Sequence, residues 1–145
     1  MYSIGQVAEM FGLPVSTLRY YDKVGLLPEM ERESGIRRFG PRQVEALRVV
    51  ECLKAAGLEI KGIKQFMDWC DEGPGTFERR RELFEQQRES VEEQIATLER
   101  VKAMIEFKQW YYATACERGS EDFAAGIPAN LPPDVRAAYD LAHSQ

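Results

Sequence analysis

Two kinds of side chain in this sequence are placed to do chemistry. The first is a run of donors: Ser16, Thr17, Arg19 and Tyr20 fall together, and a basic pair, Arg37-Arg38, follows beside Phe39. Hydroxyls and a guanidinium can read base edges, and arginine or tyrosine can grip phosphate oxygens, so double-stranded DNA suits such a set. The second kind is the thiol. Cys52, Cys70 and Cys116 stand far apart with no C-x-x-C pair, which points to free thiols rather than a disulfide framework. With His143 as the lone histidine, a zinc site would need single, dispersed ligands, and no metal or other cofactor is expected. An enzyme is not expected either, for want of a histidine base, a metal cluster or a glycine-rich phosphate loop.

The donors need a frame, and residues 3 to 38 supply the pattern of one. Ser3 with Gln6 forms a capping box that starts a helix running to about Phe11, with Ile4, Val7, Ala8 and Phe11 as its buried face. Gly12 ends it, and Pro14 suits the first turn of a second helix, Val15 to about Lys23. If Val15, Leu18 and Tyr21 face the core, Ser16, Thr17, Arg19 and Tyr20 are left outside, at the end a major groove receives. Core packing with wet hydroxyls is the competing use of Tyr20-Tyr21.

From Gly25 to Gly40 helical periodicity disappears. Leu26-Leu27-Pro28 and Ile36–Phe39 read as short strands around the polar turn 31–35, a wing that would lay Arg37 and Arg38 on the backbone. A solvated charge run is the plainer alternative. Pro41 opens a third helix with Val44, Leu47, Val49, Val50 and Leu53 as its apolar band, closed by Gly57. A fourth follows from about Glu59, with Ile60, Ile63, Phe66 and Met67 at core spacing, until Gly73-Pro74-Gly75.

Beyond that break, Phe77, Phe84, Val91, Leu98, Ile105 and Tyr112 recur every seven residues, and no Gly or Pro interrupts 76–118. A lone helix of about 40 residues, roughly 60 Å long, cannot stand on one apolar stripe and calls for a partner helix. A two-stranded coiled-coil homodimer is expected, seamed by Phe84, Val91, Leu98, Ile105 and Tyr112. The fold class is therefore all-α with a small β wing, in three parts: 1–72 a winged helix-turn-helix domain, 76–118 a long dimerisation helix, and 119–145 a tail with one short helix after Pro132-Pro133.

Apolar residues make up 44% of the chain and charged residues 30%, the balance of a globular protein. No apolar run approaches the roughly 18 residues of a membrane helix, and no leader pattern opens the chain, so a cytoplasmic protein without membrane contact is expected. The net charge of −5 argues against nucleic acid, yet residues 1–66 carry ten Lys/Arg against eight Asp/Glu. The basic excess lies with the donors.

With these elements in place, residues 2–72 resemble the MerR family of bacterial transcription regulators. The resemblance is carried by STLRYYDKVGLL from Ser16 to Leu27, by GIRRF from Gly35 to Phe39, and by the opening YSIGQVA. It implies winged-helix dimers joined by an antiparallel coiled coil. Such dimers bend and untwist the over-long spacer of a palindromic promoter, acting on RNA polymerase through the DNA. It also assigns Ser16, Thr17, Arg19 and Tyr20 to the reading helix, Tyr21 and Lys23 to its core or backbone companions, and Arg37, Arg38 and Phe39 to the wing. Pro14 and Gly40-Pro41 depart from the small polar caps common in the family, though both still start helices.

Metal-sensing members carry a cysteine pair just past the long helix, which is missing here, and drug-sensing members add a large ligand domain that the remaining tail is too short to form. The likeness is closer to regulators of aldehyde, nitrosative or other electrophile stress. The strings that carry it are VECLKAAG from Val50, IKQFMDWC from Ile63 and KQWYY from Lys108. That branch implies a reactive sensor thiol at Cys52 answering an electrophile or small inducer; the alternative is a buried, inert core thiol among Val49, Val50 and Leu53. Trp110, Tyr111 and Tyr112 would either line a ligand cleft or pack between domains.

Overall fold

A computed structural model describes all residues, 1–145. The chain divides into two compact units, Met1–Gln87 and Arg88–Gln145. In the first, β1 (Tyr2–Ser3) leads into α1 (Ile4–Phe11) and α2 (Val15–Lys23), then β2 (Glu31–Glu33), β3 (Ile36–Phe39), α3 (Pro41–Ala55) and α4 (Ile60–Glu72). The capping box is made as the sequence suggests. Gln6 N–H donates to Ser3 Oγ at 3.2 Å, and Ser3 N–H donates to Gln6 Oε1 at 2.8 Å. Leu18, Phe39, Leu47, Val50, Ile63 and Val7 are fully buried and, with Tyr21, make one core under the two N-terminal helices.

The wing differs from its sequence reading. Leu26-Leu27-Pro28 is not a strand: both leucines are buried, whereas alternation in a strand would send one of two neighbours outward. The partner of β3 is the charged segment Glu31–Glu33, with Glu33 opposite Ile36. Between them Ser34 and Gly35 take φ of 53° and 80°, the two positive values of a type I′ hairpin turn. Turn geometry, not hydrophobic pattern, sets this register. β1 also joins β3, giving the order β1-β3-β2, a pairing of two residues too short to show in the sequence.

α5 (Phe77–Arg118) starts directly after a 3₁₀ turn at Pro74–Thr76. Its first turns hold to their own unit. The Phe84 ring meets Phe66 edge-on with centroids 5.4 Å apart, and Gln87 donates to the Ala56 carbonyl at the end of α3 at 2.8 Å.

In the second unit the remaining part of α5 is joined by a 3₁₀ turn at Asp122–Gly126 and by α6 (Pro133–Ala142). Ala103, Phe107 and Thr114 are buried on one face of α5. There the Phe107 ring packs edge-on against Tyr139 of α6 at 5.2 Å, and Trp110 against Phe123 at 5.7 Å. The opposite face is bare: Val91, Ile95, Leu98, Val101, Ile105 and Tyr112 are each exposed, Leu98 at 66%. No helix is long and apolar enough to cross a membrane.

Candidate nucleic-acid interface

The outward face of α2 follows from its amphipathic spacing. Leu18 and Tyr21 are buried one turn apart, so Ser16, Arg19, Tyr20 and Lys23 face outward, with Thr17 half-buried. Arg19, Lys23, Arg42 and Lys61 belong to no ion pair, which leaves their charge available to an anion. Tyr20 is 48% exposed and stands with Val24, Ile60, Lys61, Gln65 and the Lys64–Asp68 ion pair (3.2 Å) around an open groove of about 390 Å³ between the end of α2 and the start of α4. Lys61, free of any ion pair and lining this groove, was not singled out from the sequence, nor was Lys64, whose charge Asp68 meets. Their signal was the cationic Lys61-Gly62-Ile63-Lys64 step at the start of a helix that otherwise looked like core.

Tyr21 and Phe39 turn inward. Phe39 is fully buried, so its contribution is to anchor the wing, not to meet a ligand. Tyr21 is 2% exposed, and its hydroxyl donates to Glu51 Oε2 at 3.1 Å and accepts from Lys54 Nζ at 3.1 Å. Burial chiefly raises the phenol above its ordinary pKa, with Lys54 pulling down and Glu51 pushing up. The same bond holds the Lys54 ammonium above its ordinary value. The result ties α2 to α3. In the wing, Arg37 Nε pairs with Asp22 Oδ2 of α2 at 2.8 Å, and Arg38 Nε pairs with Glu33 Oε2 at 3.1 Å. Wing and reading helix are thereby fastened by charge as well as by core packing.

Cys52 is exposed, as are Cys70 and Cys116. The buried-thiol alternative for Cys52 therefore fails within the protomer: Val50 and Leu53 face the core and Cys52 turns away from it. No three His, Cys, Asp or Glu side chains come together as a ligand set. Trp110 and Tyr111 pack against Phe123, and Tyr111 donates to Glu121 at 2.7 Å, a bond that raises its pKa. These aromatics hold their own tail rather than line an open cleft; Tyr112 alone of the three stays exposed, at 57%. Phe84, expected in the seam, meets Phe66 edge-on yet stays 40% exposed, so it remains part of the exposed stripe that continues from Val91.

A helix-turn-helix with a basic wing, its donors outward and its anchors inward, defines a DNA-binding transcription regulator. Comparison with known proteins gives the family. Residues 2–69 match the model of the MerR HTH family regulatory protein, and residues 44–106 match that of MerR, DNA binding. The chain is 41% identical over 120 residues to an uncharacterized HTH-type transcriptional regulator of Haemophilus influenzae, covering 82% of this chain and 89% of the relative. It is 38% identical over 82 residues to the HTH-type transcriptional regulator AdhR of Bacillus subtilis, covering 56% of this chain and 59% of that one. Among solved structures it resembles HiNmlR, a MerR family regulator lacking the sensor domain, bound to promoter DNA. That match has 39% identity and a TM-score of 0.69, over 90% of this chain and 96% of the other. The protein belongs to the MerR family of transcription regulators.

Proposed function

We propose that this regulator acts in the cytoplasm as a homodimer on a palindromic promoter, and that it bends and untwists the spacer so that RNA polymerase can use it. The observation that carries this reading is the sorting of α2, with Leu18 and Tyr21 locked into the core and Ser16, Arg19 and Tyr20 presented outward beside the half-buried Thr17. Beside them, unpaired Lys23 meets phosphate, and the wing arginines Arg37 and Arg38, each paired to a carboxylate through Nε alone, have their Nη groups left for it. The likeness to a regulator solved on promoter DNA favours the same use here. The exposed stripe from Val91 to Tyr112 is the natural seam of a coiled coil, because six large apolar side chains on one face of a charged helix are unfavourable in water; its antiparallel direction is taken from the family resemblance.

The inducible element in this reading is Cys52. Its thiol is exposed on α3, the helix whose Glu51 and Lys54 hold the Tyr21 hydroxyl of the reading helix. An electrophile adduct there would disturb the seat of α2, which suits a regulator of aldehyde or other electrophile stress. A reversible ligand at Trp110, Tyr111 and Tyr112 is less favoured, because the first two are already packed.

Both halves of the reading are open to one pair of experiments. Footprinting of the full chain on genomic DNA should protect a palindrome, and Arg19→Ala should abolish the protection while the protein stays folded. Mass spectrometry after brief substoichiometric formaldehyde, methylglyoxal or a nitrosothiol should find Cys52 modified first. Modification spread evenly over Cys52, Cys70 and Cys116 rules out the thiol switch and leaves DNA binding untouched.

A further inference from the structure

The joint between α4 and α5 is made of polar atoms that DNA reading and thiol sensing leave without a role. α4 ends at Gly73, whose φ of 92° and ψ of −160° lie in a region essentially reserved for glycine. Thr76 follows, only 4% exposed, with Oγ1 2.6 Å from the Trp69 carbonyl and 2.8 Å from the Gly73 carbonyl. One turn into α5, Arg80 donates from Nε to Thr76 Oγ1 at 3.0 Å and from Nη2 to the Gly73 carbonyl at 2.7 Å. Because the Thr76 oxygen receives the Arg80 N–H, its single proton is left for the carbonyls. The Arg80 guanidinium also lies over the Phe77 ring, 4.7 Å from its centre. The Trp69 and Gly73 carbonyls, which already accept the Gly73 and Thr76 backbone N–H groups, are thus bound a second time, through Thr76 and the first turn of α5.

This is more than an end cap. A glycine and a water would satisfy two carbonyls, but a planar fork bonded to both Thr76 and Gly73 also fixes a direction. Positions 76, 80, 84 and 87 share one face of the helix, and Phe84 on Phe66 and Gln87 on Ala56 continue the clasp. In a dimer that reads two half-sites, the angle at which α5 leaves α4 sets how far apart the reading helices fall. A spacer longer by one base pair moves a half-site about 3.4 Å along the duplex and roughly a tenth of a turn around it.

We infer that Arg80, acting through Thr76 and the Trp69 and Gly73 carbonyls, is a positioning residue that fixes the operator spacing this regulator accepts. The inference rests on the dimeric, palindrome-binding reading above.

The test uses the full chain and palindromic duplexes differing only in spacer length, with binding followed by fluorescence anisotropy at one salt concentration. The wild type should bind its best spacer about tenfold or more tighter than one a base pair longer or shorter. Arg80→Met, which keeps the stem over Phe77 but removes every donor, should reduce that ratio to below about threefold. Arg88→Met, in an 83% exposed side chain of the same helix outside the joint, should leave it unchanged. Mere destabilisation would weaken binding to all spacers alike and spare the ratio. If Arg80→Met melts below the assay temperature, Arg80→Lys, which keeps the charge without the fork, is held to the same ratio. A ratio preserved in a folded Arg80 variant overturns the inference, as does a wild type that binds palindromes without spacing preference. A wild type that binds no palindrome at all removes the dimeric reading first, and the inference with it.

Discussion

Gln43→Met should weaken the protein through one buried amide and loosen the wing before the rest. Gln43 is 7% exposed; its Oε1 accepts from the Gly40 N–H and its Nε2 donates to the Glu29 carbonyl, both at 2.9 Å. Methionine keeps the length and removes both bonds. Gly40 is buried, so its N–H is left without a partner at a cost of about 1–3 kcal/mol, whereas the exposed Glu29 carbonyl takes water and loses about 0.5–1.5 kcal/mol. Extra apolar burial returns about 1 kcal/mol, leaving a net loss of about 1–3 kcal/mol. In urea, at fixed protein concentration so that self-association is constant, the midpoint should fall by about 1 M for a slope of roughly 1–3 kcal/mol per molar. Hydrogen exchange supplies the second reading: amides of β2 and β3 should speed up more than those of α4, because Gln43 holds the segment that feeds β2. A midpoint within about 0.2 M of wild type would mean that Gly40 finds another acceptor, and the reasoning fails.

The Tyr21 phenol and the Lys54 ammonium are both raised above their ordinary values of 10.0 and 10.5. Each shift favours the protonated folded form, so the stability it carries is intact below about pH 10 and is lost as pH climbs through the folded values. Tyr21→Phe should flatten that alkaline fall in thermal melts; an equally steep fall removes the pair from the account. Leu98→Glu, at the most exposed point of the stripe, should yield a monomer in sedimentation velocity and lose binding to the palindrome, and a surviving dimer would move the seam elsewhere. Gly73→Ala should cost about 1–3 kcal/mol from its backbone conformation alone, read as a lowered melting temperature with an unchanged helical spectrum at 20 °C or about that; an unaltered melt would mean that the joint can rearrange.

The helices were legible because their signals are local. Ser3 and Gln6 wrote the first N-terminus, Gly12 and Pro14 the turn, and Leu18 with Tyr21 the inward face of α2, which by subtraction named the outward one. The wing was only half legible. Leu26 and Leu27 looked like a strand because they are apolar, but both are buried in an irregular segment, and the true β2 is three exposed charged residues recruited by the Ser34-Gly35 turn. Neither the Tyr21–Glu51–Lys54 cluster nor the Arg37–Asp22 pair was visible, because each joins residues 15 or more apart along the chain. Cys52 sits where periodicity is most ambiguous, one residue from a buried Leu53, and only the packing of α3 on the core turns it outward.

The seven-residue repeat of the long helix shows how one pattern can serve two purposes. Phe77 to Tyr112 reads as a single seam, and it stays exposed at its start, Phe77 at 61% and Phe84 at 40%; the same turns also hold to their own unit through Arg80 on the α4 end, Gln87 on Ala56 and the edge of Phe84 on Phe66. From Val91 onward the stripe is likewise exposed, while on the opposite face Ala103 is buried and Phe107 packs on Tyr139 of the tail. In the proposed dimer the first turns dock to the DNA-binding unit and the later turns meet a second copy, so that one helix serves both. In the proposed dimer the α4–α5 joint and the seam lie on one helix, so the association test at Leu98 comes first: only if Leu98→Glu gives a monomer that loses the palindrome does the spacing test at Arg80 report on the joint.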